Sequence, residues 1–321
     1  MSESSLIGSV KDILPVLNAS ESKVKFPDWL SGNLENINTL HAQYGGVLIR
    51  GARLHSPTLL ASVLENIWQA ELLPYRYRST PRSELKHNVY TATEYNSASI
   101  IEQHNENAYS NRFPQVIGFY CMVPSKEGGQ TPITDSQLVY ETLPSEIRAE
   151  FEAKGVTYVR NYNDIDLPWS EVFGSTNKDD VEQFCRENGI DYKWYDDNGL
   201  RTTQTLPAVQ VHPVTGKKVW FNQAHLFHYS ALDEQLREAM LTNYNEEQLP
   251  RNAFFGDGSK IDHEVLELIR NTYRRLQIKF DWQRNDLLLL DNLRFSHGRE
   301  PFNGVRKVLV GMAKPLETSF R

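Results

Sequence analysis

Apolar positions recur along this chain at two spacings. Over residues 262–276, Val265, Ile269, Tyr273 and Leu276 fall on one stripe of a 3.6-residue period, and Asp262 stands where an N-cap belongs, so the pattern predicts an amphipathic helix. The same spacing predicts helices over 29–44, stopped by Gly45-Gly46, over 57–70, over 144–153 with Gly155 as the stop, and over 178–188, ended by Gly189. Elsewhere the apolar positions come in short β-rich runs, at 47–50, 156–160, 208–212, 218–221, 286–291 and 307–312. The runs 208–212 and 218–221 flank Pro213-Val214-Thr215-Gly216, a turn sequence, and predict a hairpin. Short strands separated by long insertions, with no regular strand–helix alternation, point away from a doubly wound sheet. They suit a mainly β fold with helices: a double-stranded β-helix (jelly-roll) core with flanking helices and insertions. No repeat, low-complexity stretch or linker divides the chain. One domain is expected over 25–321, preceded by a polar, loose segment over 1–24.

Composition narrows the partners. Of 321 residues, 40% are hydrophobic and 11% aromatic, enough for a sizeable core and against disorder. The net charge of −7 leaves no basic footprint for nucleic acid. Basic residues are scattered, apart from Arg76, Arg78 and Arg82. Two cysteines, Cys121 and Cys185, make no disulfide framework, and both sit among apolar neighbours as core residues do. No signal peptide is visible, and the longest aliphatic run, 287–290, is too short to span a bilayer. A cytoplasmic protein away from membranes is expected.

Candidate chemistry gathers at Gln103-His104-Asn105-Glu106-Asn107, which follows the apolar pair Ile100-Ile101. In an extended strand residues two apart share a face, so His104 and Glu106 are expected to project together and Asn105 to point away. An imidazole and a carboxylate at that spacing can chelate a metal, with a third ligand from far along the chain. His297 is the candidate, just beyond the aliphatic run ending at Asp291, where a strand is expected to reach its rim. Two histidines and a carboxylate on one face of an octahedron leave three positions open, which suits iron(II) with a chelating co-substrate and oxygen. Zinc takes the same donors and a water. A histidine two residues from a glutamate is also an ordinary hydrogen-bonded pair. The residues alone leave these readings open.

Several ordered blocks carry a resemblance. His104-Asn105-Glu106-Asn107-Ala108-Tyr109, Gly128-Gly129-Gln130-Thr131-Pro132-Ile133-Thr134-Asp135, Asp291-Asn292-Leu293-Arg294-Phe295-Ser296-His297-Gly298-Arg299-Glu300-Pro301-Phe302 and Arg306-Lys307-Val308-Leu309-Val310-Gly311-Met312 resemble the conserved blocks of the TauD/TfdA superfamily, in its clavaminate synthase-like branch. Val219-Trp220-Phe221-Asn222-Gln223-Ala224-His225 resembles a block of members encoded beside peptide synthetases. The resemblance runs over about residues 45–315. It implies a jelly-roll enzyme with iron(II) at His104, Glu106 and His297 and 2-oxoglutarate as co-substrate, oxidising an unactivated C–H bond, usually by hydroxylation. Most of the superfamily has aspartate where this chain has Glu106; the branch is known for glutamate. A carboxylate at that position argues against halogenation, because the related halogenases lack it.

2-Oxoglutarate keeps a distal carboxylate after its keto acid end chelates iron, and arginine's planar fork suits that group. The resemblance places the co-substrate threonine at Thr131 and the cation at Arg306. Lys307 is the rival, and neighbouring strand residues face opposite ways, so only one of the two enters the pocket without a bulge. The resemblance also implies an amino-acid substrate, free or carried on a peptidyl carrier protein. Candidate contacts are Asn222, Arg299, Glu94 against an amine and Arg201 against a carboxylate; for Asn222 a loop-capping amide, for Arg299 a loop brace and for Glu94 a surface charge are the plainer alternatives. His225 and His228 are expected to pack or hydrogen-bond near the site rather than bind metal. Two other functions share the residues: zinc hydrolysis at the same triad, and a non-catalytic barrel that binds a small ligand.

Overall fold

The computed structural model describes residues 5–7, 14–75, 77–80, 82–162, 165–195 and 198–319. Its organising element is the strand Leu287–Asp291, buried at every position. Side chains alternate faces along a strand, so an unbroken aliphatic run must be covered on both sides. Leu287 and Leu289 join a cluster with Leu60, Leu64 and Ile67 of the helix Pro57–Trp68 and with Ile37 of the helix Phe26–Tyr44. Leu288 and Leu290 join a different cluster, with Ile133 and Phe295 of a second sheet.

The first sheet has eight strands in the order Ser5–Ile7, Leu14–Asn18, Gly46–Arg50, Leu287–Asp291, Arg112–Val123, Lys307–Glu317, Val89–Thr91 and Glu84–Lys86. Among the described residues, only Leu14–Asn18 with Gly46–Arg50 is parallel. The second sheet has Phe295–Arg299 between Ile101–His104 and Ile133–Asp135. The two sheets pack across the Leu288–Phe295 core as the layers of a jelly roll, and among the described residues they do not close into a barrel. A four-stranded sheet, Asp191–Trp194, Leu200–Leu206, Val156–Tyr162 and Arg251–Phe255, stands beside them. With Ile269 and Tyr273 of the helix His263–Leu276, its buried side chains form a further core.

The helix Pro57–Trp68 lies close on the first sheet because two glycines face it. Gly118 and Gly311 are register partners on adjacent strands. A Cβ at Gly118 would meet Leu64 Cδ2 at 2.8 Å, and one at Gly311 would meet Leu64 Cδ1 at 2.6 Å. Leu289 fills the same layer and is fully buried. Leu289→Ala is expected to destabilise the protein by about 2–5 kcal/mol. Urea unfolding checks this: the midpoint should fall while the slope holds, and a shift under about 1 kcal/mol would contradict the packing described.

Most expected elements occur, with shifted ends. The first helix begins at Phe26 and stops at Gly45, whose φ of 76° is the left-handed cap glycine adopts without strain. The expected hairpin pairs Val209–Val211 with Lys218–Trp220. Asp262 holds the N-cap position of its helix, yet its side chain makes no capping bond. The expected loose segment over 1–24 falls partly outside the described residues, at 1–4 and 8–13. Where described it is corrected at 14–18, a strand whose Leu14, Val16 and Leu17 are buried. Cys121 and Cys185 are buried and unpaired, as core residues. No helix among the described residues is long and apolar enough to cross a membrane.

Candidate metal centre and its cavity

Strand pairing brings the two histidines together. Ile101–His104 and Phe295–Arg299 run antiparallel, and His104 and His297 are direct register partners. Opposed residues on neighbouring strands share a face, and the two imidazole centroids lie 4.7 Å apart. His297 therefore sits within a strand of its own rather than at a rim beyond Asp291, correcting the expected placement. The strand carrying His104 also ends at that residue. Glu106 comes from the turn that follows, where Asn107 adopts φ 56°, so the turn and not the pleat brings Glu106 beside His104.

Asn292 holds that turn. Its Oδ1 accepts from the Glu106 backbone N–H (2.6 Å), and its Nδ2 donates to the Glu106 and Pro114 carbonyls (3.0 and 2.8 Å). Asn105 points away as expected and donates to the Asn292 carbonyl (2.6 Å) and to Ser136 Oγ (3.0 Å). These buried amides tie the His104–Glu106 segment to the loop just before the His297 strand.

One donor atom from each of His104, Glu106 and His297 lies within 4.8 Å of the others. His104 Nδ1 lies 2.9 Å from the Glu102 carbonyl; donating that hydrogen leaves the Nε2 lone pair free. Neither ring nitrogen of buried His297 has a hydrogen-bond partner among the described residues, a costly arrangement unless a ligand supplies one; Nε2 lies 3.6 Å from Glu106 Oε2. Burial, reinforced by His297, lowers the His104 pKa to about 4, so its imidazole is neutral near pH 7. Burial alone would raise the Glu106 carboxyl, but Arg82 and then His297 hold it well below the usual carboxylate range. Two imidazoles and one carboxylate, with no fourth such donor among the described residues, fit a divalent metal that keeps positions open.

Arg82 was not singled out by sequence. Its Nη2 donates to Glu106 Oε2 at 2.8 Å, with both side chains 3% exposed. The contact joins residues 24 apart through a segment without periodicity, and only the local crowding of arginines signalled it. Arg76, in the same stretch, lies outside the described residues.

A cavity opens from the two histidines toward Thr131 and Arg306. Thr131 Oγ1 accepts from Trp282 Nε1 (3.0 Å) and from Arg306 Nη2 (3.4 Å), while Arg306 Nε donates to the Gly129 carbonyl (3.0 Å). Burial, then neighbouring Arg299, lowers the Arg306 pKa to about 10, still cationic at neutral pH. Lys307 is exposed, and among the described residues it is not part of the cavity wall. Phe119, Ile101 and Val308 give the wall apolar patches.

The structure disperses the expected substrate contacts. Arg299 lines the cavity, but its Nη atoms donate to the carbonyls of Tyr95 (3.0 Å), Asn96 (2.6 Å) and Ser99 (2.9 Å), bracing that loop. Asn222 is buried away from the cavity and works as a loop-capping amide, donating to the Ala208 carbonyl and accepting from the Ala224 N–H. Glu94 is exposed and accepts from Thr91 Oγ1 (2.8 Å). Arg201 lies on the four-stranded sheet, 3.5 Å from Glu247. His225 Nε2 meets the Gln103 carbonyl (3.0 Å), and His228 Nδ1 meets Ser230 Oγ (2.9 Å), so both hydrogen-bond near the site outside the triad.

The profile described as "Taurine catabolism dioxygenase TauD, TfdA family" matches residues 9–313. The dapdiamide synthesis protein DdaC of Enterobacter agglomerans is 38% identical over 305 residues, covering 95% of this chain and 92% of that protein. A clavaminate synthase-like protein of Arabidopsis thaliana is 30% identical over 290 residues, covering 87% and 84%. The crystal structure of a taurine dioxygenase from Burkholderia xenovorans is similar with a TM-score of 0.55 at 12% identity, covering 100% of this chain and 95% of that one. At that identity the likeness speaks to the fold.

Proposed function

Since the chain belongs to the TauD, TfdA dioxygenase family and is an Fe(II)- and 2-oxoglutarate-dependent oxygenase, we propose that His104, Glu106 and His297 hold its iron and that Arg306 and Thr131 hold its co-substrate. The observation that carries this is the convergence of three donor atoms, from part-buried His104 and buried Glu106 and His297, beside a cavity whose far wall is the part-buried Arg306 guanidinium. The reaction unit is one catalytic domain over 25–321, completed by the strand Leu14–Asn18 in its first sheet. Iron, 2-oxoglutarate and oxygen together supply the oxidising chemistry, releasing succinate and carbon dioxide. The chain's residues do the rest. Neutral His104 and anionic Glu106 present lone pairs at neutral pH, with His297 beside them. Arg306 and the Thr131 hydroxyl take the distal carboxylate and so fix which end of the keto acid faces the histidines. Phe119, Ile101 and Val308 limit water at the reacting face. A zinc hydrolase or a passive binding barrel has no use for a carboxylate clamp at that distance from the triad.

The substrate we propose is an amino acid or an aminoacyl group, free or on a peptidyl carrier protein, and the product is hydroxylated. The relation to a dapdiamide synthesis protein supports a biosynthetic role. Anaerobic protein given iron(II) and 2-oxoglutarate should develop a weak visible charge-transfer band. Mass spectrometry of products from free and carrier-tethered amino acids should then show a gain of sixteen mass units, as one oxygen atom requires. Coupled turnover only on a sulfonate, an aryloxy acid or a fatty acid would rule out the amino-acid assignment.

A further inference from the structure

We propose that Arg82 is a second carboxylate anchor of this site: it fixes Glu106 through one nitrogen and offers the other two to a ligand carboxylate held at the metal face. The proposal rests on the reading of His104, Glu106 and His297 as metal ligands.

Three guanidiniums line the cavity, those of Arg82, Arg299 and Arg306. Their partners differ. Arg299 donates through both Nη atoms to three neutral loop carbonyls, leaving only Nε without a partner among the described residues, and Arg306 donates to a carbonyl and the Thr131 hydroxyl. Arg82 alone reaches a protein carboxylate, Glu106, and does so only through Nη2. Its Nε and Nη1 are buried and have no acceptor among the described residues. The Tyr75 ring lies against the guanidinium, 4.6 Å from centroid to Cζ. Guanidinium N–H groups point outward in the plane, so a ring on the face leaves the in-plane donors to be satisfied at the edges.

Buried charged donors without acceptors are costly, and a carboxylate is the partner whose charge and geometry match them. Charge balance points the same way. Three guanidiniums and a divalent metal face one protein carboxylate, so the cavity suits more than one ligand carboxylate. Arg306 and Thr131 account for the distal group of 2-oxoglutarate. The carboxylate left for Arg82, beside Glu106, is either the keto acid's own C1 group or the carboxylate of an amino-acid substrate.

The test uses the full-length wild type, Arg82→Gln, Arg82→Lys and His297→Ala. Each is titrated anaerobically with Mn(II), then with 2-oxoglutarate at saturating Mn(II), by calorimetry; thermal melts check folding. If the C1 group is the ligand, Arg82→Gln binds 2-oxoglutarate at least about tenfold more weakly even at saturating metal, with Arg82→Lys between it and wild type. If the substrate's carboxylate is the ligand, 2-oxoglutarate affinity stays within about twofold. The KM of the free amino acid that gives a product then rises about tenfold, while that of its primary amide does not move. Either result supports the proposal. Wild-type values for both ligands at saturating Mn(II) overturn it, leaving Arg82 a support for Glu106 alone; Arg82→Lys decides this if Arg82→Gln does not fold. Wild type that fails to bind Mn(II), or binds it equally after His297→Ala, removes the metal reading and this proposal together, a result distinct from failure at Arg82.

Discussion

His297→Ala should retain less than about a tenth of product-coupled 2-oxoglutarate turnover, because losing a metal ligand forfeits several kcal/mol of transition-state stabilisation. Its fold should survive. Among the described residues the imidazole makes no hydrogen bond; it packs against Phe119 at 4.9 Å and His104 at 4.7 Å, with Nε2 3.6 Å from Glu106 Oε2. Glu106→Ala should be as inactive but much less stable. It leaves the Arg82 guanidinium, 3% exposed, without the one carboxylate it reaches among the described residues. Breaking one side of a buried ion pair costs about 3–5 kcal/mol. A coupled oxygen or succinate assay beside a thermal melt separates the two variants. His297→Ala retaining more than about a tenth of activity would remove it from the metal. Equal melting temperatures for the two variants would mean that the Arg82–Glu106 pair contributes nothing net to stability.

The site was legible where it is local and hidden where it is not. The spacing of His104 and Glu106 is a short-range signal, and their donor atoms do come within 4.8 Å of each other, although a turn delivers Glu106 where an extended strand was expected. The four-leucine run announced a strand covered on both faces, and its alternating leucines do divide between two cores. Sequence did not reveal that His297 would lie directly opposite His104, because register between strands nearly two hundred residues apart is set by the whole sheet. Arg82 was missed for a related reason: a buried ion pair between residues 24 apart has no periodicity to read. Asn222, Glu94 and Arg201 show the converse. Each is a plausible polar contact in sequence, and each finds a nearer partner in the fold. Short-range hydrogen bonds compete for such side chains, and only the assembled structure decides which partner wins.

Arg306→Ala should raise the Michaelis constant for 2-oxoglutarate at least about tenfold, since a charge-assisted hydrogen bond contributes roughly 1.5–3 kcal/mol. Lys307→Ala should leave it within about twofold. The two residues are chain neighbours of the same charge, so composition and net charge change equally in the two variants. They differ in where the strand begins. Lys307 opens Lys307–Glu317 with its side chain in solvent, and the register shifts between Lys307 and Val308. Arg306, just before it, turns inward to the Thr131 hydroxyl and the Gly129 carbonyl. Loss of the clamp weakens ground-state binding of the co-substrate, so turnover at saturating 2-oxoglutarate should fall less than the ratio of turnover to Michaelis constant. Arg306→Lys keeps the charge and loses the planar fork, and an intermediate Michaelis constant is expected. A large effect of Lys307→Ala with none from Arg306→Ala would transfer the anchor to the neighbouring residue and place the inward-facing position one residue later in the chain.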